Sequence, residues 1–375
     1  MTRSSSTQLH PLSEPGDTLK ILYGVVGDGM GHAIRSSVVL PKLIEWGHEI
    51  QIVASGRAHE FLEPRFADVT QIWGMAITMA DNKVDVVGTA VDMLKGAASG
   101  WPENVRQYMA MTEEFAPDIV ITDFETWSAL FGNLHNLPVL SVDNIQAVRR
   151  LWHPPEILRG RKSEWRLAKS VIKAKIPSAY HYLVTSFFDA EPRKHRTTVV
   201  PPILRQQVLD APISVEDHVL VYQTSMTFAD LPEVLKQFGD IPFRIYGLRR
   251  DLTEEQTEGN LTFCPFSEDG FVADLASCRG VIASAGFTLI GEALHLHKPM
   301  LATPVRGQFE QVMNARYLDY LGFGLHDEEL DEFTVRAFLN QLETFRNNLE
   351  SYPRRGNDIL FDELLGLFDR IAADI

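Results

Sequence analysis

At 375 residues, with 45% hydrophobic and 23% charged side chains, the chain has the apolar content of a soluble globular protein and suits two domains rather than one core. Its formal net charge of −15 argues against general nucleic-acid binding. No apolar run approaches the roughly 20 residues of a membrane-spanning helix.

Residues 1–18 are polar and lack the apolar segment of a secretory signal, so they read as a disordered tail. A first buried strand is expected over Leu19–Val26, then a glycine turn (Gly27, Gly29, Gly31) and a helix over His32–Trp46. The turn fits neither of two common fingerprints. Its spacing is not G-x-G-x-x-G, the second strand ends Ala54-Ser55-Gly56 without a ribose-binding acid, and no Gly-Lys-Ser/Thr follows. It reads instead as an active-site floor, where Gly29 and Gly31 allow a substrate close to the backbone. His32 then opens a helix at the carboxyl end of a strand, where open α/β sheets bind ligands. The helix dipole disfavours the imidazolium, so His32 stays neutral and can accept a proton; a helix-start histidine without chemistry is the plainer reading.

Strands are expected over His48–Ala54, Val69–Ile77, Asp118–Thr122, Pro138–Val142, His181–Thr185 and Thr198–Val200, with helices near Ala58–Leu62, Pro102–Phe115 and Thr126–Leu134. The Gly/Ala-rich segment 81–100 reads as a mobile piece over the substrate side. Asp123 ends the strand 118–122, again at a carboxyl edge, and is the first candidate to orient His32, with Glu125 as backup. Capping of the next helix is an equally good use of Asp123. Arg35, one turn beyond His32, can pair with Asp123 or hold an anion. Between Arg149 and Lys175 stand nine Lys or Arg against two Glu, with Trp152 and Trp165 among them. This stretch reads either as a solvated helical face or as a contact for an anionic membrane surface.

Pro201-Pro202-Ile-Leu-Arg205 is expected to be a linker, dividing a first domain, 19–202, from a second, 203–356, with a last helix, 357–375, crossing back. The strand–helix rhythm restarts at His218–Tyr222 and continues at Phe243–Tyr246, Leu261–Cys264, Gly280–Ala283 and Met300–Thr303. The two cysteines, Cys264 and Cys278, have neither zinc spacing nor a disulfide framework and read as buried free thiols in a reducing cytoplasm. The run Ser284-Ala-Gly-Phe-Thr-Leu-Ile-Gly-Glu292, followed by Glu310-Gln311 and Asn314, reads as strand, glycine turn, helix, strand, loop, helix. A glycine turn that opens a helix presents free N–H groups and a partial positive charge to a phosphate. Glu292 can accept hydrogen bonds from sugar hydroxyls.

This run of about thirty residues resembles the donor-nucleotide motif of two-domain glycosyltransferases of the GT-B type, in the branch of the peptidoglycan N-acetylglucosaminyltransferase and the family 1 UDP-sugar transferases. The Gly-Asp-Gly-x-Gly-His-x-x-Arg run, 27–35, looks like the glycine loop and basic histidine of the same branch. The resemblance implies an α/β fold of two Rossmann-like domains (GT-B) facing each other across a cleft. It implies a nucleotide-diphosphate sugar donor, UDP-linked, held by Ser284, Gly286, Phe287, Thr288, Glu292, Glu310, Gln311 and Asn314. His32 is implied as general base with Asp123, on an acceptor side with Gly29, Gly31, Arg35 and Glu125. Thr224 and Ser225 stand where relatives have a diphosphate-touching Gly-Ser pair, and Phe266 where the base lies. There is no Asp-x-Asp motif, and the branch needs no cofactor or metal; a single inverting displacement is implied. A lipid-linked or anionic polymeric acceptor of the cell envelope is common in this branch, and a cytoplasmic place on the inner membrane face follows from it. A non-catalytic nucleotide-sugar-binding subunit, which would dispense with His32, and a UDP-sugar 2-epimerase on the same scaffold stay open.

Overall fold

A computed structural model describes residues 18–74, 79–80, 83–84, 114–223 and 230–374. Thr224, Ser225, the segment 85–100 and most of the helix expected over 102–115 lie outside the described residues.

The first half folds around a sheet of β1 (Lys20–Val25), β2 (Glu49–Ala54), β3 (Val69–Gln71), β6 (Ile119–Asp123), β7 (Val139–Asp143), β8 (His181–Thr185) and β9 (Thr197–Val200). A two-residue hairpin, β4 (Met79–Ala80) and β5 (Lys83–Val84), stands apart from it. The strand order is β3-β2-β1-β6-β7-β8-β9, and every pair is parallel. The second half repeats the plan with β10 (Val219–Tyr222), β11 (Phe243–Tyr246), β12 (Gln256–Glu258), β13 (Leu261–Cys264), β14 (Gly280–Ala283), β15 (Met300–Ala302) and β16 (Gly324–His326), in the order β12-β13-β11-β10-β14-β15-β16. Only the edge strand β12 runs antiparallel.

Apolar runs such as Ile21-Leu22-Tyr23 in β1 and Ile119-Val120-Ile121 in β6 are buried on both faces. Parallel strands covered by helices on both sides require this. The described helices are α1 (Met30–Glu45), α2 (Gly56–Leu62), α3 (Thr126–Leu134), α4 (Ala147–Arg150), α5 (Pro155–Leu158), α6 (Lys162–Lys175), α7 (Gln206–Leu209), α8 (Leu231–Lys236), α9 (Glu268–Ser277), α10 (Phe287–His295), α11 (Phe309–Tyr320), α12 (Glu332–Leu349) and α13 (Asp358–Asp374). Both sheets reverse strand order beside their first strand, between β1 and β6 and between β10 and β14. That reversal opens a crevice at the carboxyl ends of the strands.

Pro201–Arg205 has no regular structure. It is clamped rather than loose. Asn357 donates Nδ2 to the Leu204 carbonyl at 2.8 Å and accepts the Leu204 N–H at 2.9 Å, which ties together the two chain segments that pass between the sheets. Leu360, Leu364, Leu367, Phe368 and Ile371 of α13 fall on one helical stripe. They are buried in the core of the first sheet with Ile21, Val39 and Leu43. Trp46 meets Phe361 and Phe368 edge to face at 5.9 and 6.4 Å, which seals that contact.

Among the elements that escape the sequence reading are β12, β16, the helices α8 and α9 and the long helix α12. The strand expected over 69–77 ends at Gln71; residues 72–74 have no regular structure, and 75–77 lie outside the described residues. Cys264 and Cys278 are free and buried, and burial pushes the Cys278 thiol up to about 12.

Candidate active site

The register Gly24↔Thr122 aligns the carboxyl ends of β1 and β6, so the chain leaving each strand delivers its polar residues to one place. Gly29 caps α1 with extended backbone and no side-chain hydrogen bond. His32 therefore lies in the first turn of α1, and Asp123 is the last residue of β6.

His32 Nδ1 lies 2.7 Å from Asp123 Oδ1. Arg35, one turn further along α1, grips the same carboxylate with two points: Nε donates to Oδ2 at 2.9 Å and Nη2 to Oδ1 at 2.6 Å. Ser36 Oγ adds a bond to Oδ2 at 3.3 Å. Asp123 is fully buried, which alone would raise its pKa. The Arg35 and His32 charges and hydrogen bonds outweigh that cost and hold the carboxyl below its usual value. Ionised Asp123 can only accept. Nδ1 of His32 can donate to Oδ1, which would leave Nε2 of a neutral ring as an acceptor; Arg35 Nη2 stands 2.9 Å from the same Nδ1.

The network does not stop at this pair. Arg35 Nη1 donates to Asn144 Oδ1 at 2.8 Å, and Asn144 Nδ2 donates to Glu310 Oε1 at 2.7 Å. Asn144 follows β7 of the first sheet, whereas Glu310 lies in the first turn of α11, beside the second. A continuous chain of hydrogen bonds thus runs from His32 through Asp123, Arg35 and Asn144 to Glu310, across the boundary between the two halves. Asn314 Nδ2 also donates to Glu310 Oε1, at 2.6 Å, and contacts the Ala285 carbonyl at 3.1 Å. Desolvation raises the Glu310 pKa, although Asn314, His32, Arg35 and Asn144 all favour its charged form.

The glycine-opened helix α10 begins opposite α1. Gly286 caps it without a side-chain bond, so its leading N–H groups have no side-chain cap. Thr288 Oγ1 reaches the Gly31 carbonyl at 3.4 Å. A Cβ on Gly31 would come within 2.7 Å of that hydroxyl, so a glycine here lets the two helix starts approach. Ser284 is half-buried at the carboxyl end of β14, and Phe287 is buried against Phe187, with ring centroids 5.8 Å apart.

Three expected site residues, Glu292, Glu125 and Gln311, are engaged differently from the sequence reading. Glu292 is not a free carboxylate: it is buried and held by Arg205, with Nε at 2.7 Å from Oε1 and Nη2 at 2.8 Å from Oε2. The helix cap is Glu125 rather than Asp123. Both Glu125 oxygens accept backbone N–H groups, from Trp127 at 2.8 Å and Ser128 at 2.6 Å, which leaves it no clear part on the acceptor side. Gln311 braces its own loop, accepting the Val305 N–H and donating to Gln308. Phe266 is 69% exposed beyond β13, without a ring partner among the described residues. Asn144 and Arg205 were not singled out from the sequence. Their only signals are a polar residue just past a strand's carboxyl end and a lone arginine that closes a proline linker.

Comparison with known proteins agrees with this fold. A family model described as glycosyl transferase family 1 matches residues 19–343, and the chain belongs to that family. An uncharacterized glycosyltransferase of Methanosarcina mazei is 22% identical over 338 residues, covering 82% of this chain and 85% of the relative. The crystal structure of the glycotransferase of kitacinnamycin superposes with a TM-score of 0.64 at 16% identity, covering 94% of this chain and 99% of that one. A UDP-glucosyltransferase from Polygonum tinctorium gives 0.63 at 13% identity, covering 95% and 99%. The protein is a glycosyltransferase of the GT-B fold, a class that works on a sugar donor and an acceptor.

Proposed function

We propose that the protein transfers a hexose-type sugar from a nucleotide-diphosphate sugar, UDP-linked, to an acceptor hydroxyl, with inversion at the anomeric carbon. The observation that carries this reading is the His32–Asp123 pair, set at one end of a hydrogen-bond chain whose other end is Glu310. In this reading Nε2 of His32 takes the acceptor hydroxyl proton while Asp123 stabilises the imidazolium. The acceptor oxygen forms its bond to the anomeric carbon as the bond to the diphosphate breaks, and the nucleoside diphosphate leaves with the electron pair. The uncapped start of α10 at Gly286 and Phe287, with Ser284 and Thr288, faces that leaving group and offsets its charge without a metal. Glu310 and Asn314 read the sugar hydroxyls, and Phe266 has an open face for the base; Glu292, closed by Arg205, holds α10 in place rather than meeting the ribose. Thr224 and Ser225 are the proposed second contact to the diphosphate. Gly29, Gly31 and Arg35 line the acceptor side.

The test is turnover of a panel of UDP- and dTDP-sugars with and without a crude lipid acceptor extract, following release of free nucleoside diphosphate. Release that needs both the extract and His32, and that falls in Glu310→Ala, is the expected result. Donor binding that persists in wild type with no release under any condition would sink the transferase reading in favour of a binding subunit. Release without an acceptor, together with a change of sugar configuration, would favour an epimerase.

A further inference from the structure

Helix α6 ends beside the His32–Asp123 pair. Its last residue, Lys175, is buried, and Nζ lies 3.1 Å from Asp28 Oδ2. Asp28 stands in the glycine turn, between Gly27 and Gly29 and four residues before His32. The same ammonium lies 4.8 Å from the centroid of the Phe124 ring, and Phe124 directly follows Asp123. One buried cation thus meets both chain segments that carry the pair: the turn before His32 and the residue after Asp123.

Both segments depend on outside contacts for their shape. Three of the five residues from Gly27 to Gly31 are glycine, so the turn has little stiffness of its own. Phe124 has a φ of 55°, in the left-handed region that a side chain with a Cβ seldom adopts. An antiparallel bridge joins it to Val25, and the Val26 N–H donates to the Asp123 carbonyl at 3.3 Å. Lys175 adds to these from the face of the sheet opposite Arg35. Phe124 packs in one core cluster with Ile172 and Ile176 at the end of α6, whereas Val25 packs with Ala33 and Val39 of α1 in another.

A buried ammonium is costly even when paired, and an apolar side chain of similar volume would often serve stability as well or better. Methionine would suit a place among Phe124, Ile172 and Ile176. The charge therefore has a use that packing does not explain. Its bonded partner, the Asp28 side chain, is 22% exposed. Glu125 feels it too: burial pushes that carboxyl up, against the Ser128 and Trp127 N–H groups and the Lys175 charge.

We propose that Lys175 is a positioning residue, which acts through Asp28 and Phe124 to fix the glycine turn against the β6–α3 junction and so sets His32 on Asp123. Lys175 meets no reacting atom itself. Its effect on sugar transfer rests on the reading of His32 as the base.

Long-range proton–nitrogen spectra of the histidine rings read the pair without any turnover, with His32 assigned by its loss in His32→Ala. Lys175→Met and Asp28→Asn should each shift and broaden the His32 ring signals, while the melting temperature stays near that of wild type. The double variant should match the single ones, because all three break the same contact. In the nucleoside diphosphate release assay with the lipid acceptor extract, each should lower kcat about ten- to a hundredfold, as a misplaced group does, with donor KM unchanged. Lys175→Arg, which keeps the charge, should recover part of that loss. Should Lys175→Met fold poorly, Asp28→Asn, at a partly exposed side chain, decides alone. Ring signals identical to wild type in Asp28→Asn would overturn the proposal, as would rate losses that multiply in the double variant. Full turnover by His32→Ala would remove the base reading instead, and the ring spectra would still decide whether Lys175 positions His32.

Discussion

Asp123 and Glu292 are each gripped by an arginine in the same two-point geometry, Nε to one oxygen and Nη2 to the other, and each is buried. They differ in what else the pair touches. The Arg35–Asp123 fork is one link in a chain that includes His32, Ser36, Asn144 and Glu310. The Arg205–Glu292 fork is a closed pair that joins the inter-sheet linker to α10. There the helix backbone lies so close that a Cβ on Gly291 would come within 2.7 Å of Pro202. The same ion pair thus serves two ends: at Asp123 it fixes a carboxylate that a histidine can use, and at Glu292 it fixes a helix to a hinge. Removing members of each should show the difference.

The largest effect is expected from breaking the first fork at its chemical end. His32→Ala should lower kcat by about 10²- to 10⁴-fold, the usual contribution of a positioned base, with donor affinity and melting temperature little changed. A fall confined to donor KM would move His32 out of the chemistry. The second fork should fail as structure instead. Arg205→Met leaves Glu292 as a buried carboxylate without a partner, which costs roughly 3–5 kcal/mol of stability. Chemical denaturation would measure it, and the double variant Arg205→Met/Glu292→Gln should recover most of the loss. No recovery would mean that Arg205 stabilises through other contacts.

Acid titration separates the two carboxylates of the chain itself. Asp123 has a depressed pKa in the folded protein, so its stabilisation is present above the unfolded value near 3.9 and is lost as pH falls through the folded value. Glu310 is raised, so its contribution is present below the unfolded value near 4.3 and is lost as pH rises through the folded value. Asp123→Asn should therefore destabilise at neutral pH and converge on wild type in acid, whereas Glu310→Gln should gain relative stability as pH rises. Parallel stability–pH curves for both variants would contradict this assignment.

How much of this was legible follows from how local each signal is. Asp123 ends a strand, and His32 and Arg35 open the helix that follows another, so the rule that ligands gather at carboxyl edges locates them without a structure. The crossing helix announces itself through the stripe Leu360, Leu364, Leu367, Ile371. Glu292 was legible as a carboxylate beside the glycine-opened helix, but its partner was not, because Arg205 is 87 positions away in sequence and meets it only when the linker folds against α10. Glu125 shows the limit of reading a cap by residue type. Aspartate is the stronger general choice, but here β6 holds Asp123 inward and delivers Glu125 to the first turn of α3. The short strands β12 and β16 carry three residues each, too few to establish a period. The basic stretch was visible as charge, yet only the packing shows Arg161 pinned to Glu328, Lys175 buried against Asp28, and Arg149 and Arg150 buried.

The smallest expected effect is also the most specific to the comparison. Asn144 uses both ends of one amide, Oδ1 toward Arg35 and Nδ2 toward Glu310, so among the described residues it links the base pair to the opposite half. Asn144→Ala removes two hydrogen bonds of about 0.5–1.5 kcal/mol each, and kcat/KM should fall about tenfold. If Asn144 only filled space, Asn144→Leu would restore the loss. If it positions Arg35 and Glu310 together, Leu will not, and Asn144→Asp will be worse than Ala, because its carboxylate would accept from Arg35 while facing Glu310 with like charge. The sign of that Asp–Ala difference, read as kcat/KM across pH, decides between a bridge and a spacer: for a bridge the difference shrinks in acid as Glu310, with its raised pKa, takes up a proton.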